Sequence, residues 1–250
     1  MKPDSATQPP NPATRIPRPD PMATIESHAH SPVAHGGTPA DNYHAAHHFK
    51  DREHEFDSVK LGVWLFLATE ILLFSGMFCA YAIFRMLHPD AFLAGSHHLD
   101  VRWGLLNTVV LLLSSYTVAA AVRAAQTGNM VWLKRNIVIT FACGLLFLLI
   151  KFIFEYHHKW EVGLLPGKFY SYPNPASPYE PMFWGVYWGA TGIHASHVLV
   201  GMGLFIWLYL RTAKGHFGPK HYNAVEGVGL YWHIVDIVWI FLFPMLYLIH

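Results

Sequence analysis

The chain has 250 residues, of which 53% are hydrophobic and only 13% charged, with a net charge of +1. Soluble proteins carry about 25% charged residues, so this composition points into a membrane. The near-neutral balance, with no basic patch interleaved with aromatics, excludes a nucleic-acid-binding surface. Cys79 and Cys143 lie in apolar runs without CxxC or zinc-type spacing; they read as small packed hydrophobes, not as a disulfide or a thiolate metal site.

Residues 1–60 are rich in Pro, Ala and His and show no apolar periodicity. They lack the apolar core of a secretory signal and read as a disordered polar tail. Its histidines (His28, His30, His35, His44, His47, His48 and His54) offer only adventitious ligands for zinc or copper, with no dedicated metal site expected. Beyond the tail, five runs are long and apolar enough to cross a bilayer: 61–84, 104–122, 136–154, 182–210 and 227–249. A bilayer requires backbone groups to pair internally, so each is a helix. The fold class is therefore all-α: a polytopic membrane protein, a bundle of five transmembrane helices behind a disordered tail. Lys151, near the end of the third run, has a stem long enough to snorkel.

The second-to-third connection carries Arg123, Lys134 and Arg135, and the fourth-to-fifth carries Arg211, Lys214 and Lys220, without acids. The other two connections balance their basic residues with acids. By the positive-inside rule the tail is cytoplasmic and His250 lies outside. Trp103, Trp132, Trp160 and Trp184 near span ends fit an aromatic belt. The stretch "LLPGKFYSYPNPASPYEP" predicts an ordered, non-helical cap on the outer face.

Several ionisable groups fall at membrane depth. Glu70, tenth in its run, lies roughly 15 Å below the start. A charge there is costly, so the carboxyl either protonates or faces other helices and finds donors. Two readings stand: a structural interhelical hydrogen bond, or a proton-linked or lipid-linked site. In "GATGIHASHVLVGMG", His194 and His197 are three residues apart on one face, with Thr191 beside them. Gly185 and Gly189 form a GxxxG step for close helix approach. In "GVGLYWHIVDIVWIFLF", preceded by Glu226, His233 and Asp236 share a face and can share a proton, while Trp232, Asp236 and Trp239 form a seam. The economical packing turns the first, fourth and fifth spans toward one another. There is no Gly-rich phosphate loop, serine nucleophile motif or HExxH, hence no catalytic constellation.

Four stretches, "KLGVWLFLATEILLFSGMF", "GLLNTVVLLLSS", "GATGIHASHVLVG" and "GVGLYWHIVDIVWIFLFP", together resemble subunit III of the haem–copper cytochrome c oxidases, in order over residues 60–249. The chain is similar to the five-helix bacterial form, which lacks the first two helices of longer members. The resemblance implies a non-catalytic subunit of a proton-pumping terminal oxidase in the bacterial plasma membrane. Subunits I and II would be its partners, and they would hold the haem and copper. It would carry no redox cofactor itself, hold phospholipids in a cleft, stabilise the catalytic subunit and support proton uptake. Glu70 would be the family's buried, carbodiimide-reactive carboxyl. His194, His197, Glu226, Trp232, His233 and Asp236 would make lipid or interhelical contacts. With the first two helices missing, a neighbouring subunit would supply one wall of the cleft. Within the same family, the equivalent subunit of a quinol oxidase or nitric oxide reductase is the nearest alternative. More distant are a b-type haem electron carrier using His194, His197 and His233, and a proton channel relaying through Glu70 and Asp236.

Overall fold

The computed structural model describes residues 52–219 and 221–249. Their helices are α1 (Arg52–Leu87), α2 (Pro89–His97), α3 (Val101–Gln126), α4 (Met130–Ile150), α5 (His157–Val162), α6 (Glu180–Ala213) and α7 (Asn223–Tyr247). A π-helical turn, Lys151–Tyr156, joins α4 to α5, so the two form one 33-residue span, Met130–Val162. With α1, α3, α6 and α7 this makes five helices long and apolar enough to cross a membrane. The all-α architecture is thus as expected, and each expected run lies inside one of these spans, except that α7 stops at Tyr247, short of residue 249. One boundary differs at the other end. Residues 52–60, placed by composition in the tail, continue α1, and Lys60 is held by an ion pair to Glu226 of α7 at 3.6 Å. Residues 1–51, which carry the rest of the tail and its first six histidines, lie outside the described residues.

Side-chain capping starts two of the helices. Asp100 accepts from the Arg102 amide (2.9 Å) before α3, and Asn129 from the Trp132 amide (3.2 Å) before α4. Gly128, at φ +75°, allows the tight reversal between α3 and α4, and Gly163, at φ +84°, ends α5 in the left-handed conformation. The connection from α5 to α6 is non-helical apart from one 3-10 turn, Gly167–Phe169. Trp188 of α6 ties it down by donating to the Leu164 carbonyl at 2.9 Å.

Helices α3, α4, α6 and α7 enclose the core, and α1 lies outside against α6 and α7. The apolar stretch of α1 is only 11% buried, against 56% for α7, which makes α7 the centre. Its Trp232 is fully buried between two glycines. A Cβ on Gly201 of α6 would stand 2.7 Å from the indole, and one on Gly144 of α4 2.9 Å. The indole Nε1 donates to Ser114 Oγ of α3 at 2.9 Å. One side chain therefore fixes the spacing of four helices. The GxxxG step has a smaller part: Gly189 meets Met77 of α1, whereas nothing approaches Gly185.

Three other expectations are corrected. Lys151 does not snorkel; it is buried, its Nζ donating to Glu155 Oε2 (2.6 Å) and Tyr247 Oη (2.5 Å). Tyr187 (2.8 Å) and Tyr247 donate to the same carboxylate oxygen, and Lys159, also buried, lies 3.6 Å from it. Aromatic rings enclose the ammonium, with Trp239 at 4.8 Å and Tyr247 at 5.1 Å from Nζ. Trp184 is fully buried rather than part of a belt, because α2 and the α5–α6 connection cover that end of α6; Phe92 packs edge-on against Phe183 there. Cys79 is exposed on the outer face of α1, not packed in the core.

Two outcomes are expected. Gly201→Ala should lower stability by about 1–3 kcal/mol through overpacking against Trp232, whereas Gly203→Ala, with nothing within 4 Å, should not; thermal unfolding of the detergent-purified protein measures both. Glu155→Leu should cost about 3–5 kcal/mol by stranding two buried ammoniums, and adding Lys151→Met and Lys159→Met should recover most of that loss. If the triple variant is no more stable than Glu155→Leu, the cluster is held by packing and not by charge.

Candidate functional site in the membrane interior

Two polar sites form at the level where α1, α6 and α7 meet. In the first, Glu70 Oε2 of α1 lies 2.7 Å from His197 Nε2 of α6. His197 Nδ1 lies 2.8 Å from the Ile193 carbonyl, which can only accept, so Nδ1 carries a proton. A single remaining proton is then shared between Nε2 and the carboxyl. The pair is either imidazolium with carboxylate or imidazole with carboxylic acid, and it is neutral in both states. Neutrality removes most of the cost of placing either group at this depth. Phe74 packs edge-on against His197 at 5.2 Å, and Tyr231 Oη of α7 donates to the His197 carbonyl at 3.0 Å. Both side chains remain about one-sixth exposed, opening on a groove of ≈ 210 Å³ lined by Phe66, Glu70, Ser196, His197, Val200 and Tyr231.

The second site lies between α7 and its neighbours. His233 does not pair with Asp236, as the spacing suggested; its Nδ1 is 2.7 Å from Ser115 Oγ of α3. Asp236 is buried, and neither carboxyl oxygen has a hydrogen-bond partner among the described residues. Ser115, whose hydroxyl is bonded to His233 Nδ1, lies within electrostatic reach of Asp236, and a hydroxyl that accepts from the ring can turn its own proton toward the carboxyl. His194 is likewise buried with both ring nitrogens unpartnered, set between Phe147 (5.6 Å) and Trp239 (5.3 Å). Trp239 donates instead to Thr108 Oγ1 of α3 at 3.1 Å.

The remaining expected residues separate from these. Glu226 sits at the bundle end in its ion pair with Lys60, and Trp232 is the buried wedge of the core. His194, His197 and His233 face an aromatic cage, a carboxyl and a hydroxyl respectively, which gives no opposed pair of imidazoles for a haem. Among the described residues no three His, Cys, Asp or Glu side chains converge as metal ligands.

Sequence reasoning missed two features. One is the Lys151, Glu155 and Lys159 cluster, whose signal was the four-residue spacing that puts all three on one helical face. The other is Asn107 of α3, fully buried with both amide atoms unpartnered. It lies inside the quoted stretch "GLLNTVV" but has no charge to draw attention.

With this geometry in place, the comparisons are direct. Residues 41–250 match the family described as Cytochrome c oxidase subunit III. Cytochrome c oxidase subunit 3 of Corynebacterium diphtheriae is 34% identical over 193 residues, covering 76% of this chain and 88% of that protein. The probable cytochrome c oxidase subunit 3 of Mycobacterium tuberculosis is 35% identical over 191 residues, with 76% and 88% covered. The subunit 3 of Balaenoptera musculus is 31% identical over 196 residues, with 76% and 69% covered. The chain belongs to the cytochrome c oxidase subunit III family.

Proposed function

We propose that this chain is the non-catalytic integral subunit III of a proton-pumping terminal oxidase that passes electrons from cytochrome c to oxygen in the bacterial plasma membrane. It packs beside subunits I and II, which hold the haem and copper, and stabilises the catalytic subunit. The observation that carries the reading is the bonded pair of Glu70 and His197, neutral as a unit and open to a groove at membrane depth, in a chain of this family. Such a groove suits a phospholipid chain, and a shared proton suits a carboxyl that supports proton uptake without performing redox chemistry. Glu70 is then the proton-linked or lipid-linked group, and His194, His197, Trp232, His233 and Asp236 maintain the interhelical contacts around it, with Glu226 anchoring α1 to α7.

The charge distribution supports the orientation. A Cβ on Gly128 would stand 3.1 Å from Pro219, so the α3–α4 turn and the α6–α7 connection lie together at one end. Arg123, Lys134, Arg135, Arg211 and Lys214 gather there, which supports reading that end as cytoplasmic. The opposite end, with the α5–α6 connection, faces outward.

Mild-detergent purification of the chain should bring down subunits I and II with a haem spectrum that reduced cytochrome c can turn over; recovery free of haem–copper subunits overturns the proposal. In that complex Glu70→Gln should assemble normally and lose carbodiimide labelling at this position, because the amide still bonds His197. Glu70→Leu should weaken assembly, leaving the half-buried His197 Nε2 without its partner at a cost of about 1 kcal/mol. Equal assembly of Gln and Leu variants would mean that the pair has no structural part.

For orientation, Thr127→Cys should be labelled by an impermeant maleimide only in inverted vesicles and Ser171→Cys only in intact cells, with Cys79 and Cys143 replaced by Ala. The reverse pattern would invert the topology.

A further inference from the structure

On α7 the residues that point away from the bundle repeat at intervals of three and four: Leu230, His233, Ile237 and Ile240. Ile237 is 50% and Ile240 41% exposed, and Leu230 and His233 are partly buried. Gly227 of α7 meets Val63 of α1 on one side of this strip, and Gly229 meets Val122 of α3 on the other. Among the described residues α1 and α3 both pack on α7 without touching one another. At about 100° per residue the two glycine directions stand about 160° apart on the side of the strip. Six equal cylinders fit around one, so helices in contact around α7 need only about 60° each. The strip is therefore the floor of an open trough with room for one more helix.

His233 stands near the middle of that floor. It follows Asn223 by ten residues, about 15 Å along α7, well inside a hydrocarbon layer of about 30 Å. Its Nδ1 is taken by Ser115 Oγ at 2.7 Å, and this is its one hydrogen bond among the described residues. Nε2 is accessible from outside the bundle rather than enclosed in it, and in either tautomer it must donate or accept. Lipid tails offer neither a donor nor an acceptor, so a bare Nε2 at this depth is costly. A hydrocarbon chain suits Ile237 and Ile240 as well as a helix does; His233 decides between them. Ser115 also links the ring to Asp236, buried on the next turn. Whatever closes Nε2 thus completes a line of polar side chains that runs inward from the trough.

We infer that the trough between α1 and α3 seats a membrane-spanning helix of a neighbouring subunit, which presents a hydroxyl or carboxamide side chain (Ser, Thr, Asn or Gln) to His233 Nε2. Such groups both donate and accept, so they serve either tautomer of the ring. Close packing and interhelical hydrogen bonds are what join helices in a bilayer, and the strip offers both. Its three-four-three spacing is that of a seam that takes up the side chains of a facing helix. The inference rests on the reading of this chain as a subunit of a larger membrane complex. It adds which face makes the contact and which chemistry holds it.

The test places a photo-crosslinking phenylalanine derivative at Ile237, one turn from His233, in the full chain in its native membrane, and purifies the complex after irradiation. The crosslink should join this chain to another subunit, within a membrane-spanning peptide that contains Ser, Thr, Asn or Gln. His233→Leu should release that subunit about threefold more readily in a detergent titration, the worth of one interhelical hydrogen bond in a membrane. His233→Gln, which can still bond at the position of Nε2, should retain it. Capture of lipid alone, or of a second copy of this chain, by an intact complex overturns the inference and leaves the oxidase reading standing. Unchanged retention in His233→Leu does the same. Recovery of the chain with no other subunit overturns both. Where His233→Leu fails to fold, the Ile237 crosslink, made with His233 in place, decides alone.

Discussion

Trp232 has to satisfy two demands at once, and the way it does so sets the geometry of the bundle. An indole is too large to lie between helices at ordinary spacing, and its N–H cannot be left unbonded where there is no water. The first demand is met by removing side chains on both sides, at Gly144 and Gly201, so that the ring fills the space two Cβ atoms would occupy. The second is met by Ser114 on the third neighbouring helix. In a bilayer, burial of apolar surface drives helix association weakly, because lipid tails are as apolar as the interface; close packing and interhelical hydrogen bonds must do it instead. Trp232 supplies both, and from it the positions of Ser115, His233, Asp236 and Trp239 follow as successive turns of α3 and α7.

The polar groups in the interior follow the same economy. Glu70 and His197 satisfy each other through one interhelical hydrogen bond. The Lys151, Glu155 and Lys159 cluster lies about 30 Å along the span from Met130, near its far end, where two ammoniums converge on one carboxylate oxygen and aromatic faces shield what remains. Asp236, His194 and Asn107 follow a third pattern: buried side chains whose polar atoms have no hydrogen-bond partner among the described residues. Of these arrangements the first lines a groove, which Glu70 and His197 share with Phe66, Ser196, Val200 and Tyr231.

The spans were legible in the sequence because the bilayer imposes both length and composition, and the inward turn of Glu70 followed from depth. What spacing could not resolve was which partner each group chooses. Residues three apart on a helix differ by about 60° in direction. That is close enough to call one face, yet wide enough for His197 to reach α1 while His194 points at Phe147 and Trp239. The same angle separates His233, bonded to Ser115, from Asp236, buried on the next turn. Lys151 was misplaced for a different reason. Snorkelling is the default for a lone lysine near a span end, and Lys151 is not alone: Glu155 and Lys159 follow at four-residue intervals, and Tyr187 and Tyr247 come from distant helices that no local window includes. Trp184 was likewise taken for a belt residue because nothing local announces that α2 folds over it.

The two ends of the molecule treat charge in opposite ways. At the end that carries the α5–α6 connection the lysines of the third span are turned inward and compensated by Glu155, so little of their field reaches the surface. At the other end the described cations, apart from Lys60, carry no carboxylate, and two of their guanidiniums rest on tryptophan faces. Interior compensation makes a rigid cap that is insensitive to its surroundings. Uncompensated surface cations make a rim whose energy depends on what lies against it, and in a membrane with anionic lipids that is a layer of phosphates. The two ends thus differ in structure, one with its buried lysines compensated by its own side chains and the other with cations that no described carboxylate pairs.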